Sequence, residues 1–577
     1  MKRQFLLAAG LGMVAPLVVA IPVGQVYADT FTVTNTNDSG AGSLRQALAD
    51  ANSTNGADIV AFAPSLTGTI TLTTGPLIVS EPVTIDGPNS YDVIVSGNLS
   101  SRVMRIVSAG TVSVSGLTFT SGVTATGNGG CLEITDSDVT LDDIQMTTCT
   151  ATQDNGGAVA ATGSGSLTIG SLGAYIAGNS AGDGGGGIYT GAGVSLTILE
   201  GMITSNDATF NGGGVFAQEA PTISGAGLSN NYVGPAGYGG NLWVGDGAGL
   251  VLRDTYVSSG SAQHGGGIYV SSMSAGADGR IERCQISGNS AGAEGAGVLL
   301  DLLDDGVSAG TLRIRNTTIA DNQAGTDGGG VYVRDRLVAG VSLEFATIVG
   351  NEAAADGDGA FLGGSGPTTI SHSVLWGNKP TGIAADDIDT TTAVTVERSV
   401  LGETDLYWFG SLSLDAWSDA HVGVDPLLGD LADNGGAVHT MKPAAGSVLI
   451  NGGATTLAGA PLYDARVLLR KRGGRYDVGA FEFQTPTAPQ SVAAASRVDA
   501  VRVAWRAPSS RGDASILGYR IYRLTANGWK RVGTVGTATR SYLVTGLRSG
   551  TLFRFRVVAV NAGGAGALSA VVSRRAG

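Results

Sequence analysis

Cysteine is scarce in this chain: three residues in 577, at positions 131, 149 and 284. They can form at most one internal bridge, so disulfides are not the scaffold, and the pairing stays open. Only 16 prolines and 6% aromatic residues are present, so the chain must be held by small, repetitive packing. Charged residues reach only 14% against 43% hydrophobic, which excludes a disordered chain. After residue 20 no apolar run is long enough to cross a bilayer. His264, His372, His421 and His439 show no metal-ligand spacing. No nucleophile triad or phosphate-binding loop stands out, so no catalytic residue is assigned. Glycine, in contrast, is abundant: its 92 residues are about twice the usual share, without the three-residue period of collagen.

The first residues address the compartment. Lys2 and Arg3 precede an apolar stretch over residues 5–20, interrupted by Pro16 and followed by Pro22, and Val26-Tyr27-Ala28 supplies small residues for cleavage. Residues 1–28 are therefore read as an export signal, with the mature chain starting at Asp29, secreted or on the cell surface. No cysteine follows that point closely enough to take a lipid.

Between residues 129 and 361 a glycine cluster followed by an apolar residue recurs, at Leu132, Val159, Ile188, Val215, Leu242, Ile268, Val298, Val331 and, more weakly, Ala360. The separations suit one coil of a solenoid. Before each cluster stands an aliphatic residue, two spacers and asparagine: Ile176/Asn179, Ile203/Asn206, Leu228/Asn231, Ile286/Asn289, Ile319/Asn322, Ile348/Asn351 and Leu375/Asn378. Val257 keeps the aliphatic position, but Gly260 replaces its asparagine. In a parallel β-helix, coils stack about 4.8 Å apart. Equivalent residues then superpose, and Asn179, Asn206, Asn231, Asn289, Asn322, Asn351 and Asn378 are expected to bond amide to amide along the stack. Leucine-rich repeats lack support because the leucine pattern and its helix are missing, and the repeat is too short for a propeller blade.

The Ile-x-x-Asn and Gly-Gly-x-aliphatic coils resemble the repeats of chlamydial polymorphic outer-membrane proteins and related bacterial β-helix proteins. TVTNTNDSGAGSLRQALADAN, ADIVAFAPSLTGTITLTTGPLIV and VTIDGPN are similar to the amino-terminal part of that group. There Leu44, Ala47, Leu48 and Ala51 would form one face of a short capping helix. VDPLLGDLADNGGAVHTMKPAAGSVLINGGA and YDVGAFEF resemble the terminal region described as choice-of-anchor Q. Beyond the linker at 484–489, Trp505, Tyr519-Arg520-Ile521-Tyr522-Arg523, Leu547, Phe553-Arg554-Phe555-Arg556-Val557 and Asn561-Ala562-Gly563 resemble fibronectin type III, with Phe553 where that family carries its corner tyrosine.

The expected fold is thus all-β: a right-handed parallel β-helix followed by a fibronectin type III β-sandwich. Residues 29–128 are assigned to an N-terminal cap and first coils, 129–400 to the repeats, 401–484 to a C-terminal cap, and 485–577 to the linker and module.

Charge divides at the same boundary. From residue 485 onward lie 14 of the 34 Lys and Arg but only two of the 48 Asp and Glu, so this segment nets +12 and the remainder −26. That basic balance suits attachment to a polyanion or envelope, or packing of the module on its own solenoid.

Counting back four residues from each apolar mark gives Asn155, Gly184, Asn211, Tyr238, His264, Glu294, Asp327 and Asp356. Stacking would bring Glu294, Asp327 and Asp356 into one column, a candidate calcium site of oxygen ligands. Asn, Asp and His are also ordinary turn residues beside a glycine bend, a reading that covers Asp154 and Asp183 too. No cofactor is required, and calcium is the one cation considered. Cys284, two residues before Ile286, reads as a small core residue. Arg511-Gly512-Asp513 is an integrin-like tripeptide short enough to arise by chance, and Tyr407-Trp408-Phe409 with Trp417 reads as packing over the solenoid end.

Two function classes remain. The first is a non-catalytic adhesion or carbohydrate- or envelope-binding protein, its partner an extracellular or envelope polysaccharide or a surface protein, not nucleic acid. The second is an extracellular glycoside hydrolase or polysaccharide lyase with an accessory module.

Overall fold

The computed structural model describes residues 28–577 except 246–248, 273–277, 302–309, 335–339, 365, 380–386, 403–410 and 473. The export signal read over 1–28 (Ala28 apart) and Tyr407-Trp408-Phe409 lie outside the described residues. Over residues 30–401 the chain winds a β-solenoid of about 12 turns, and a fibronectin type III sandwich follows.

One coil shows how the sequence makes its path. Ile188–Thr190, Val194–Ile198 and Gly201–Thr204 form three short strands, and Asp207–Ala208 a fourth. Alternation turns Val194, Leu196 and Ile198 inward, because side chains on a strand point to opposite faces. Each strand pairs in parallel with its equivalent in the next coil. The apolar residues after the glycine clusters are consecutive partners in one column, from Leu132 through Val159, Ile188, Val215, Leu242, Ile268, Val298 and Val331 to Ala360. Ile176, Ile203, Leu228, Val257, Ile286, Ile319, Ile348 and Leu375 form a second. Both columns are buried in one continuous apolar core.

The third mark of the coil is polar and equally buried. Asn179 Nδ2 donates to Asn206 Oδ1 at 2.9 Å, Asn206 to Asn231 at 3.0 Å, Asn289 to Asn322 at 2.8 Å, Asn322 to Asn351 at 2.8 Å and Asn351 to Asn378 at 2.9 Å. The second amide proton goes to a backbone carbonyl, as from Asn322 to Ile286. The residue before each asparagine position has a positive φ, as at Ser205, Asn230, Gly288 and Asp321. The inward amide therefore satisfies backbone groups that the sharp bend leaves unpaired. Where Gly260 interrupts the pattern, the column is still complete. Asn241, which stands where neighbouring coils carry Gly214 and Gly267, reaches in. It accepts from Asn231 at 2.8 Å and donates to Asn289 at 2.9 Å.

Both ends of the core are covered. The helix Leu44–Ala51, capped by Ser43, buries Leu44, Ala47, Leu48 and Ala51. At the other end, Leu412 and Leu414 pack against the core. The rest of the region expected as a C-terminal cap runs instead along the flank of several coils. Gln285 accepts from His439 N–H, Asn316 donates to the Tyr463 carbonyl and Thr347 accepts from Ala480 N–H, while His372 Nε2 accepts from Ala454 N–H at 3.0 Å and its carbonyl from Gly479 N–H at 2.7 Å. Cys131 and Cys149 form a disulfide, while Cys284 is free and buried. Burial pushes the Cys284 thiol up to about 12, which suits a core residue and not a nucleophile.

In the module, Gln490–Arg497, Ala500–Arg506 and Ser541–Thr545 make one antiparallel sheet. Gly518–Thr525, Gly528–Gly536, Leu552–Asn561 and Val572–Arg575 belong to the other. Trp505, Tyr519, Ile521, Leu547, Phe555 and Val557 fill the space between them. Asp513 does not project from the Arg-Gly-Asp loop into solvent. It accepts from Gln484 N–H at 2.7 Å and lies 3.4 Å from the buried Arg466 guanidinium, and Lys442 Nζ donates to its carbonyl. Asn561 and Asn451 complete the junction by donating to the Gln484 and Gly563 carbonyls.

Candidate functional site

The column chosen by counting back from the apolar marks is a physical column. Gly184, Asn211, Tyr238 and His264 are successive parallel partners. Gly265 N–H then bonds the Glu294 carbonyl, Gly295 N–H that of Asp327, and Gly328 N–H that of Asp356. The side chains, however, separate. Asp327 Oδ1 accepts the Asp356 N–H at 3.2 Å, while Glu294 turns toward His264 Nδ1 and lies 3.9 Å from Arg334. Among the described residues no three His, Cys, Asp or Glu side chains are placed to hold a metal ion. The physical reason is that Glu294 finds partners in the coils to either side, the His264 ring and the Arg334 guanidinium, and turns toward them instead of toward Asp327 and Asp356.

Around Glu294 the contacts close into a ring. Tyr238 stacks on His264 at 5.0 Å; beyond Glu294, Arg334 pairs with Asp301 at 2.6 Å; Tyr269 donates its hydroxyl to Asp301 at 2.9 Å and meets Tyr238 at 5.0 Å. The His264 hydrogen bond holds the Glu294 carboxyl below the usual range against the opposing effect of burial. Burial, then the Asp301 charge, pushes the Tyr269 hydroxyl well up. The ring lies over an outward aromatic stack that includes Phe216 on Trp243 at 4.0 Å and Tyr332 on Phe361 at 5.0 Å. Both carboxylates of the ring are already partnered, and its Tyr238 and Tyr269 belong to that stack.

A more open groove lies on another face, where sequence reasoning assigned nothing. Gln145, Tyr175, Met202, Gly227 and Tyr256 are consecutive outward partners. Here one glycine has a specific role: a Cβ at Gly227 would come within 2.3 Å of Tyr256. Its absence lets the Tyr256 ring lie across the sheet, with its hydroxyl directed at Met202 Sδ. The result is a groove of about 340 Å³ lined by Tyr91, Asp143, Gln145, Tyr175, Glu200 and Tyr256, among others. Tyr91 is 81% exposed and Tyr175 44%. Asp143 is oriented by Ser90, which donates through N–H at 3.2 Å and Oγ at 2.7 Å. The missed signal was short-range: Tyr175 and Tyr256 each directly precede a core aliphatic, Ile176 and Val257, so alternation must turn them outward.

Comparison with known proteins bears on the last domain. The fibronectin type III domain family model matches residues 487–575. A structure of titin kinase and its flanking domains is 27% identical over 16% of this chain and 17% of its own length, with a TM-score of 0.15. The fibronectin type III domain of a human fibronectin type III domain containing protein is 24% identical over 17% of this chain and 92% of its own, TM-score 0.15. A β-1,2-glucanase from Parabacteroides distasonis is 20% identical over 18% of this chain and 15% of its own, TM-score 0.14. The chain spans about a sixth of the titin kinase structure, and none of these likenesses carries an argument about activity. Fold and comparison together define the class: a parallel β-helix with a C-terminal fibronectin type III module.

Proposed function

We propose that this chain is a secreted or surface-displayed carbohydrate-binding protein, with the tyrosine groove of the solenoid as its receptor. The observation that carries the reading is the groove's composition: exposed Tyr91 and Tyr175 rings beside Asp143, Gln145 and Glu200. A sugar ring offers an apolar C–H face and a rim of hydroxyls, and this arrangement supplies a flat ring for the first and hydrogen-bond acceptors for the second. The Cys131–Cys149 disulfide supports export, because such bonds persist in oxidising compartments.

Titration of hydroxyl-rich neutral oligosaccharides, chosen from a glycan array, tests the reading. Tyr175→Ala should weaken binding by about tenfold, the value of one aromatic contact, and leave the melting temperature unchanged. Equal affinity in the variant, or no neutral glycan bound above background, would sink it. A hydrolytic alternative draws on two carboxylates, Asp143 and Glu200, lining one groove. Release of new reducing ends by the wild type and not by Glu200→Gln would favour that alternative.

A further inference from the structure

The outward face of the module's larger sheet gathers arginine without a carboxylate. Tyr519, Ile521, Phe555 and Val557 point into the sandwich core. Their alternates Arg520, Tyr522, Arg554 and Arg556 therefore occupy the other face. Cross-strand register sets Arg531 and Arg556 on either side of Tyr522, Trp529 opposite Leu524, and Arg575 opposite Leu552 at the edge. Arg531, Arg554 and Arg575 are exposed, and Arg520 and Arg556 partly so. The Arg556 guanidinium lies 4.7 Å over the Trp529 ring.

The module's two carboxylates are elsewhere. Asp513 is held by Arg466 at the junction, and Asp499 sits in the hairpin between Gln490–Arg497 and Ala500–Arg506, on the opposite sheet. The bonds joining the module to the preceding region run through Asp513, Asn561 and Gly563, not through these arginines. Packing of the module on its own acidic solenoid therefore leaves this face unaccounted for. Like charges gathered on one sheet face repel one another, and a polyanion would relieve that repulsion.

We infer that this face binds an anionic polysaccharide. The planar forks of Arg520, Arg531, Arg554, Arg556 and Arg575 take carboxylate or sulfate groups bidentately, and Tyr522 and Trp529 meet the intervening sugar rings. A polysaccharide suits the face better than nucleic acid because the chain's disulfide belongs to an oxidising compartment. This surface is independent of the solenoid groove and takes a different ligand.

The test uses the full chain and its Arg520→Glu/Arg531→Glu/Arg554→Glu variant, with polygalacturonate, dextran sulfate, neutral dextran and single-stranded DNA as probes. The wild type should bind polygalacturonate or dextran sulfate, and the stronger of the two identifies the anion recognised. That binding should fall steeply between about 50 and about 300 mM salt and weaken about 30-fold or more in the triple variant. The variant should keep the wild-type melting temperature, and Tyr175→Ala should keep full polyanion binding, which separates this surface from the groove. Unchanged binding in the folded triple variant, equal binding of neutral dextran, or tighter binding of DNA than of either polyanion would overturn the inference.

Discussion

Asn241 and Gly260 exchange roles between two parts of the coil. In most coils the ladder position holds asparagine and the residue before the apolar mark is glycine, so a small residue faces a large one. Here the large residue comes from the other side. A Cβ at Gly260 would lie 2.3 Å from both Asn241 Nδ2 and the Gly266 carbonyl oxygen, so an added side chain meets Asn241 and the backbone of the neighbouring coil alike. Asn241→Gly should leave Asn231 and Asn289 without partners and cost about 1–3 kcal/mol in chemical unfolding. Gly260→Asn should be similarly destabilising, through the clash. The double substitution removes the Asn241 contact but keeps that with the Gly266 carbonyl, so it should recover part of the loss, a coupling that a double-mutant cycle reads directly. Additive losses would show that the two residues do not share one space.

The region expected as a C-terminal cap meets the last coils around a histidine that burial keeps neutral. Desolvation, helped by Arg470 and Arg398 and opposed by Asp415 and Glu344, lowers the His372 pKa from its ordinary value to about 4. The unfolded chain therefore binds a proton, between about pH 6.5 and pH 4, that the folded chain refuses. The stability associated with neutral His372 is complete above about pH 6.5 and drains away as pH falls toward the folded value, by an amount on the order of 3 kcal/mol. Denaturant unfolding at pH 7.5 and 5 should show about 2 kcal/mol of this loss, the rest following toward pH 4. His372→Gln should flatten the dependence. A wild-type protein equally stable at both pH values would show that the ring is solvated.

Across the whole molecule, the solenoid and the module are joined by a small polar latch, so their relative placement depends on few atoms. Asp513 accepts from the linker and pairs with Arg466, which keeps Asp464 as a second partner at 2.8 Å. Asp513→Ala should leave both domains folded and free the junction, at a cost of about 1–3 kcal/mol in their coupling. A larger radius of gyration in small-angle scattering and faster proteolysis at residues 484–489 are the expected readouts. Identical scattering curves would mean that Asn451 and Asn561 suffice. The latch also removes the Arg-Gly-Asp carboxylate from solvent, so that tripeptide is a junction element here.

Much of this protein was legible in one dimension because a solenoid converts sequence offset into position. Coil spacing, the two apolar columns, the asparagine positions, the capping face of Leu44, Ala47, Leu48 and Ala51, and the core pattern around Trp505 all follow from period and alternation. Tertiary structure decided what faces what between coils. Asn241 fills a column to which its sequence position does not assign it. Glu294, in register with Asp327 and Asp356, turns instead to His264 and Arg334, because a register fixes the backbone and not the rotamer. Tyr175 and Tyr256 share one offset, but Tyr91, Asp143 and Glu200 join them in one groove only because stacked coils bring residues of different offset together. Periodicity determines which side of a strand a residue occupies; only the packed coils determine which neighbour it finds there.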